Sequence, residues 1–375
     1  MRIHTLSTLL PVWGLALASL IMSCEQEGKD PLAVADQYDA SAFTSHTTKE
    51  QALRTQLETL VTEMKKGRTP GVSVAADKLS ALYTSGDPSL QGVTTSYYNS
   101  VITGNSGWLT ALANASGKNY TPGGTTGGTY GAYLFDPSGV EPEQIIDKGL
   151  YAAALYHRAV RLANNAVSPA TVDQILCLYG ADPSFPNTNS STKTANPDKF
   201  LAGYAARRDK KDGKGLYERI KQGFLQLQAA VKAGPDYADE QKEALELIFQ
   251  NWEKATAATS VNYLYSVVST LSATNPSDAQ KASALHAHSE AIAFLWGFRQ
   301  LNSPFRIASD AQIDQILALL YAKPGSTPSV YTLATQPAQT LGNLLQATQK
   351  IKEIYGFSEQ EMEDFKKNWV SEQGR

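Results

Sequence analysis

From Thr48 almost to the C-terminus, apolar residues return every three or four positions, and the alternation that marks strands is nearly absent. Leu53, Leu57, Leu60, Val61 and Met64 set the pattern, and Gly67 stops it. A short helix is predicted near 76–83. Glu141-Pro142-Glu143 opens a strong helix running to about Ala166, with proline and acids in the first turn, where the helix dipole favours them. Further helices are predicted near 215–233, 237–273, 277–302, 309–322, 337–355 and 358–372. Uninterrupted, 237–273 would reach about 55 Å at about 1.5 Å per residue. No repeat of about 30–45 residues is visible, so a solenoid is not expected. The expectation is an all-α fold of roughly nine antiparallel helices in one or two packed bundles.

Two stretches break the pattern. Residues 104–131 are rich in Gly, Ser, Thr and Asn. The run Pro122–Gly131 suggests a phosphate cradle but lacks the lysine and the strand-to-helix context of one, so a long Gly-rich loop or hairpin is expected. Residues 181–197 read as a loop of Pro, Asn, Ser and Thr.

The N-terminus reads as an address. Arg2 precedes an apolar run from Leu6 to Met22, and Leu20-Ile21-Met22-Ser23-Cys24 resembles a bacterial lipobox. The expected organisation is a signal peptide at 1–23, a lipidated polar tether at 24–47 and an all-α domain at 48–375. Acyl chains on Cys24 would anchor the chain firmly, since each buried methylene contributes about 0.8 kcal/mol. The acidic stretch Glu25–Asp30 resembles the surface-export signal of Bacteroides-type lipoproteins. The expected location is therefore the outer membrane, including its cell-surface face. Lys+Arg 33 against Asp+Glu 36 gives a net charge of −3, which leaves no basic surplus for nucleic acid. The expected partners are the membrane, through Cys24, and an outer-membrane transporter or a small ligand. Cys177 is the one thiol left after Cys24 and reads as a small core residue.

Gln51–Lys66, Tyr133–Val140 with Gln144–Tyr156, Asn251–Lys254 with Thr256–Tyr265, and His286–Trp296 are similar in order and spacing to a family of uncharacterised Bacteroides-type lipoproteins, related to imelysin-like proteins. The resemblance implies an imelysin-type helical fold. The wider group is linked to iron uptake and was described as a peptidase, with a Gly-x-His-x-x-Glu hallmark. That motif does not occur in this chain. Where the family carries His and Glu ahead of residue 180, this chain reads Ala170-Thr171-Val172-Asp173-Gln174, so Asp173 alone remains; a family His stands as Asn262. Both positions have lost metal-binding character, which weighs against catalysis.

One constellation remains. His286 and Glu290 are four residues apart and share a helix face. Such a pair can ligate a divalent metal or iron, or the carboxylate can orient the imidazole. A complete metal site needs further ligands, for which Asn262 and Asp173 are candidates through the resemblance. The same face continues through Ala293 and Gly297, small residues that let a second helix come close, and the apolar surroundings predict a central, buried helix. His288 lies about 200° round from His286. Glu253 lies about 180° from Asn262, so these two cannot share a pocket from one helix. His46 falls in the tether, and His157 reads as a surface or interhelical residue. No Gly-x-Ser-x-Gly or His-Glu-x-x-His motif occurs, and no catalytic residue is assigned. The expected function is binding or capture, tied by the resemblance to iron or haem. The alternatives are an imelysin-type metallopeptidase and a glycan-binding lipoprotein of an importer.

Overall fold

The Ala238–Leu271 helix is the spine of the molecule, and apolar side chains around most of its circumference explain why. Leu216–Ala233 and Asp278–Trp296 pack along it. The links 234–237 and 272–277 are short, which makes the three helices antiparallel neighbours. Pro337–Tyr355 and Phe200–Arg208 also lie against the spine, and Pro142–Leu150 packs on Asp278–Trp296. The computed structural model describes residues 29–120, 123 and 125–375. The expected signal peptide and Cys24 lie outside them. Residues 29–31 carry no helix or strand, and Leu32–Arg375 forms one compact unit. Among the described residues, no helix is long and apolar enough to cross a membrane.

Aromatic side chains fill the centre. The Tyr156 ring meets Phe249, Trp252 and Phe298 edge-on at 5.2, 5.3 and 5.1 Å, and Phe249 stacks on Phe305 at 4.7 Å. Edge-to-face pairs of this kind contribute about 0.5–1.5 kcal/mol beyond their burial. Glu253, facing the same region, is buried and accepts the backbone N–H groups of Ile307 and Ala308 at 2.8 and 3.0 Å and the Tyr355 hydroxyl at 3.0 Å. It ties the segment leading into the Asp310–Leu319 helix to the spine. Helix starts are written locally: Ser168/Thr171, Ser277/Gln280, Ser309/Gln312 and Ser358/Glu361 each form reciprocal capping boxes.

The all-α expectation holds, with differences in detail. The helix read as 141–166 runs from Pro142 to Ala163, with a π-helical turn Tyr151–Tyr156 between Pro142–Leu150 and His157–Ala163. The helix read as 358–372 breaks after Phe365, where Asn368 caps a new turn Trp369–Glu372. Pro169–Tyr179, Phe200–Arg208, Ser96–Ile102 and Trp108–Ala115 are helices that periodicity did not reveal, because each is too short to show it. The Gly-rich stretch ends in an antiparallel hairpin, Gly128–Tyr130 with Tyr133–Phe135.

Part of the segment read as tether, 24–47, packs on the body. Tyr38 is buried and donates to Asp173 Oδ1 at 2.6 Å, and His46, in the short Phe43–His46 helix, meets Asp173 Oδ2 at 2.6 Å. Asp173 thus fastens the segment from Tyr38 to His46 to the body, because it offers both polar side chains a partner.

The small-residue face of the Asp278–Trp296 helix does what its sequence implies. A Cβ on Gly297 would lie 2.3 Å from the Gly149 carbonyl oxygen, and one on Gly149 would lie 1.7 Å from the Tyr98 hydroxyl oxygen. That hydroxyl donates to Ile145 O at 2.6 Å. Gly149→Ala is therefore expected to push Tyr98 off this bond and cost about 1–3 kcal/mol. Urea denaturation measures it, and an unchanged midpoint would contradict the close contact.

Candidate functional site

Tyr133, on the second hairpin strand, is followed by a turn that aims Glu141 inward. Asp136 Oδ1 accepts the N–H groups of Ser138 and Val140 at 3.0 and 2.9 Å and the Ser138 hydroxyl at 2.7 Å. Gly139 sits at φ +87°, and a Cβ there would lie 2.9 Å from the Tyr331 nitrogen. Glu141 follows; its N–H donates to Ser289 Oγ at 2.9 Å, which joins the turn to the Asp278–Trp296 helix.

A cluster of charged side chains fills the space between these elements. His286 Nδ1 lies 2.5 Å from Glu141 Oε2, and its Nε2 lies 3.4 Å from Glu290 Oε2. The imidazole stacks on Tyr133 with centroids 4.2 Å apart. Arg68 pairs with Glu141 Oε1 at 2.8 Å and with Glu143 Oε2, and its guanidinium lies 5.3 Å from the Tyr133 ring centre. Glu290 links this half to a second one. Its Oε1 accepts the Tyr204 hydroxyl at 3.3 Å and lies 3.9 Å from Lys148 Nζ. Lys148 in turn pairs with Asp147 at 2.5 Å and sits over the rings of Tyr151 and Tyr204.

Charge balance explains the protonation pattern. Three basic groups, Arg68, Lys148 and His286, face four carboxyls, Glu141, Glu143, Asp147 and Glu290. Burial works against a charged His286, but the bond to Glu141 and the Glu141 and Glu290 charges outweigh it and raise its pKa. Burial also favours neutral Lys148, yet Asp147 and the surrounding groups hold it well above its ordinary value. Glu143 is pushed up to about 7, first by burial and then by the Glu141 charge, against the pull of Arg68. With one proton on Glu143, three positive charges face three negative ones, and the cluster is neutral.

The cluster reaches solvent in a cleft of about 380 Å³. Asp147, Lys148, Tyr151, Phe200, Tyr204 and Arg207 line it, facing Leu57 and Val61 of the Thr48–Lys65 helix. Tyr151 belongs to the π-helical turn, an irregularity that often marks functional positions. Glu58 and Lys199, an exposed pair at 2.9 Å, stand between it and a larger cleft of about 580 Å³ that has no buried charged side chain in its walls.

The structure brings His286 and Glu290 together and places the other two sequence candidates elsewhere. Asp173 serves Tyr38 and His46, and Asn262 donates to Phe365 O at 2.7 Å. Neither supplies His286 and Glu290 with a further ligand. Both imidazole nitrogens already face carboxylates, and the Arg68 guanidinium occupies the ground between Glu141 and Glu143. Among the described residues no group of three or more His, Cys, Asp or Glu is arranged to hold a metal ion. His157 Nδ1 binds Val93 O at 2.7 Å, and Cys177 is buried beside Arg54. Arg68, Glu141, Glu143, Asp147, Lys148, Tyr204 and Arg207 were not singled out from the sequence. A signal existed for some of them: Asp147-Lys148 interrupts the apolar sequence Ile145-Ile146…Leu150 inside a helix that is buried throughout.

Comparison with known proteins adds one assignment. Residues 177–358 match the model of a domain of unknown function, DUF4856. No curated protein and no solved structure matches the chain. The matched region holds the spine, His286, Glu290, Tyr204 and Arg207, while Arg68, Glu141, Glu143 and Lys148 come from outside it.

Proposed function

We propose that this protein is a lipid-anchored binding protein of the outer membrane that captures a small ligand in the Lys148–Tyr204–Arg207 cleft. The observation that carries the reading is the convergence of a buried, charge-balanced cluster on one cleft with aromatic walls. Clefts of about 300–1,000 Å³ with apolar walls and a few placed polar groups are the usual form of small-molecule sites. A hydrolytic metal centre would need an open coordination position, whereas both His286 nitrogens are engaged. The lipobox-like residues ending at Cys24 support the anchor, and the imelysin-like resemblance points to a ligand connected with iron or haem uptake.

Val61 lines the cleft, and Val61→Trp should fill it. A small-molecule extract of the native membrane is expected to raise the melting temperature of the wild type and not that of Val61→Trp. Free ligand at a hundredfold over Kd adds about 2.7 kcal/mol of stability. Equal responses in the two proteins, or no response in either, would overturn capture in this cleft. Cys24→Ala is expected to move the protein from the membrane to the soluble fraction; retention in the membrane would overturn the anchor.

A further inference from the structure

Among the cations lining this cleft, Arg207 stands out for what it lacks. Lys148 is paired with Asp147 and Lys199 with Glu58, and Lys65 is exposed at the rim. Arg207 makes no ion pair among the described residues. Its guanidinium lies over the Tyr204 ring, 3.9 Å from the centroid, and its Nε donates to Gly203 O at 3.4 Å. Stacking and this bond fix the plane of the fork and leave its terminal nitrogens without a carboxylate. A half-buried cation held in one orientation is poised for a planar anion, because the fork matches a carboxylate with two parallel hydrogen bonds.

The pairing of the wall cations sets the valence of that anion. Lys148 faces Asp147 and Glu290, Lys199 faces Glu58, and Lys65 is exposed, so Arg207 is the one cation below the rim that no carboxylate pairs among the described residues. Asp198 is already satisfied by the Tyr217 hydroxyl at 2.8 Å and by the N–H groups of Asp182 and Thr188 at 3.2 and 3.1 Å. A dianion would find no second free cation at depth, since Lys65 is exposed. The rest of the cleft is aromatic. Tyr151 meets Phe200 and Tyr204 edge-on at 5.7 and 6.0 Å, a surface suited to a flat ring.

We propose, building on the capture reading above, that the ligand is a ring-bearing monocarboxylate whose carboxylate lies on Arg207 and whose ring packs against Tyr151, Phe200 and Tyr204. Neutral ring compounds lack the partner Arg207 needs, and phosphate monoesters bring a second charge for which the cleft holds no second free cation at depth.

Calorimetric titration of the detergent-solubilised full-length protein with benzoate, 4-hydroxyphenylacetate and indole-3-acetate tests this, beside their primary amides and phenyl phosphate. At least one carboxylate is expected to bind, with its amide and phenyl phosphate at least tenfold weaker. Arg207→Met should weaken that carboxylate at least tenfold. Arg207→Lys, which keeps the charge without the fork, should fall between, and it serves if the methionine variant does not fold. Failure of all three carboxylates to bind, equal binding of acid and amide, or unchanged affinity in both variants would overturn the proposal. If the membrane extract still stabilises the wild type and not Val61→Trp, capture stands and only the carboxylate assignment falls. If that difference is absent as well, both fall.

Discussion

Arg68→Met is expected to destabilise the protein by about 3 kcal/mol near neutral pH, the low end of the range for stripping one partner from a buried ion pair. The low end applies because 21% of the Arg68 side chain reaches solvent. Glu141 and Glu143 both depend on this guanidinium, and Glu141 also holds His286. Without it their repulsion is uncompensated, and the folded-state pKa of Glu143 rises beyond its present value of about 7. The sign of the pH effect follows. A carboxyl with a folded pKa above its unfolded value favours folding while protonated and loses that contribution as pH rises. The gap between wild type and Arg68→Met should therefore shrink as pH falls from 7 to 5. Arg68→Met combined with Glu143→Gln should recover much of the loss, because the second change removes the stranded charge. Urea titrations of the two variants at several pH values measure both effects. A gap that is constant with pH, or no recovery in the double variant, would contradict the charge-balanced cluster.

The second large effect concerns His288. It lies on the same helix as His286, is fully buried, and neither ring nitrogen has a hydrogen-bond partner. Burial alone lowers its pKa to about 3. Between that value and the ordinary 6.5 the unfolded state holds a proton that the folded state refuses, so this group costs stability as pH falls below 6.5, about 1.4 kcal/mol per pH unit. Glu143 and Asp198, both pushed up to about 7 chiefly by burial, act in the opposite sense over much of the same range. The informative quantity is thus the difference between wild type and His288→Met, in which those groups cancel. Methionine is flexible, fills a similar volume and needs no partner. The variant is expected to match or exceed the wild type by about 1 kcal/mol at pH 7. By pH 5 its advantage should grow by about a further 2 kcal/mol. Parallel stability curves would mean that His288 has a polar partner.

The long helices were legible because burial imposes a period that fifteen or more residues display. Leu53 to Met64 announced one, and the helix expected near 277–302 is present as Asp278–Trp296. The close approach at Gly297 was legible for the same reason, since small residues on a buried face have few other uses. Pro169–Tyr179 and Phe200–Arg208 were not, and with the second went Tyr204 and Arg207. His286 and Glu290 could be paired from spacing alone, because they sit on one helix. Arg68 and Glu141 could not, since only the tertiary fold carries Glu141 across 145 positions to His286. Asp173 and Asn262 were drawn in by resemblance rather than by geometry, and geometry gives them other work: Asp173 fastens the segment from Tyr38 to His46, and Asn262 holds the backbone at Phe365.

The most direct test of ligand capture is native mass spectrometry of the protein released gently from its own membrane. The account predicts a stoichiometric added mass that belongs to a small organic molecule and disappears in Val61→Trp. A spectrum in which the wild type carries nothing beyond its own chain and lipid, or in which both proteins carry the same addition, would contradict it.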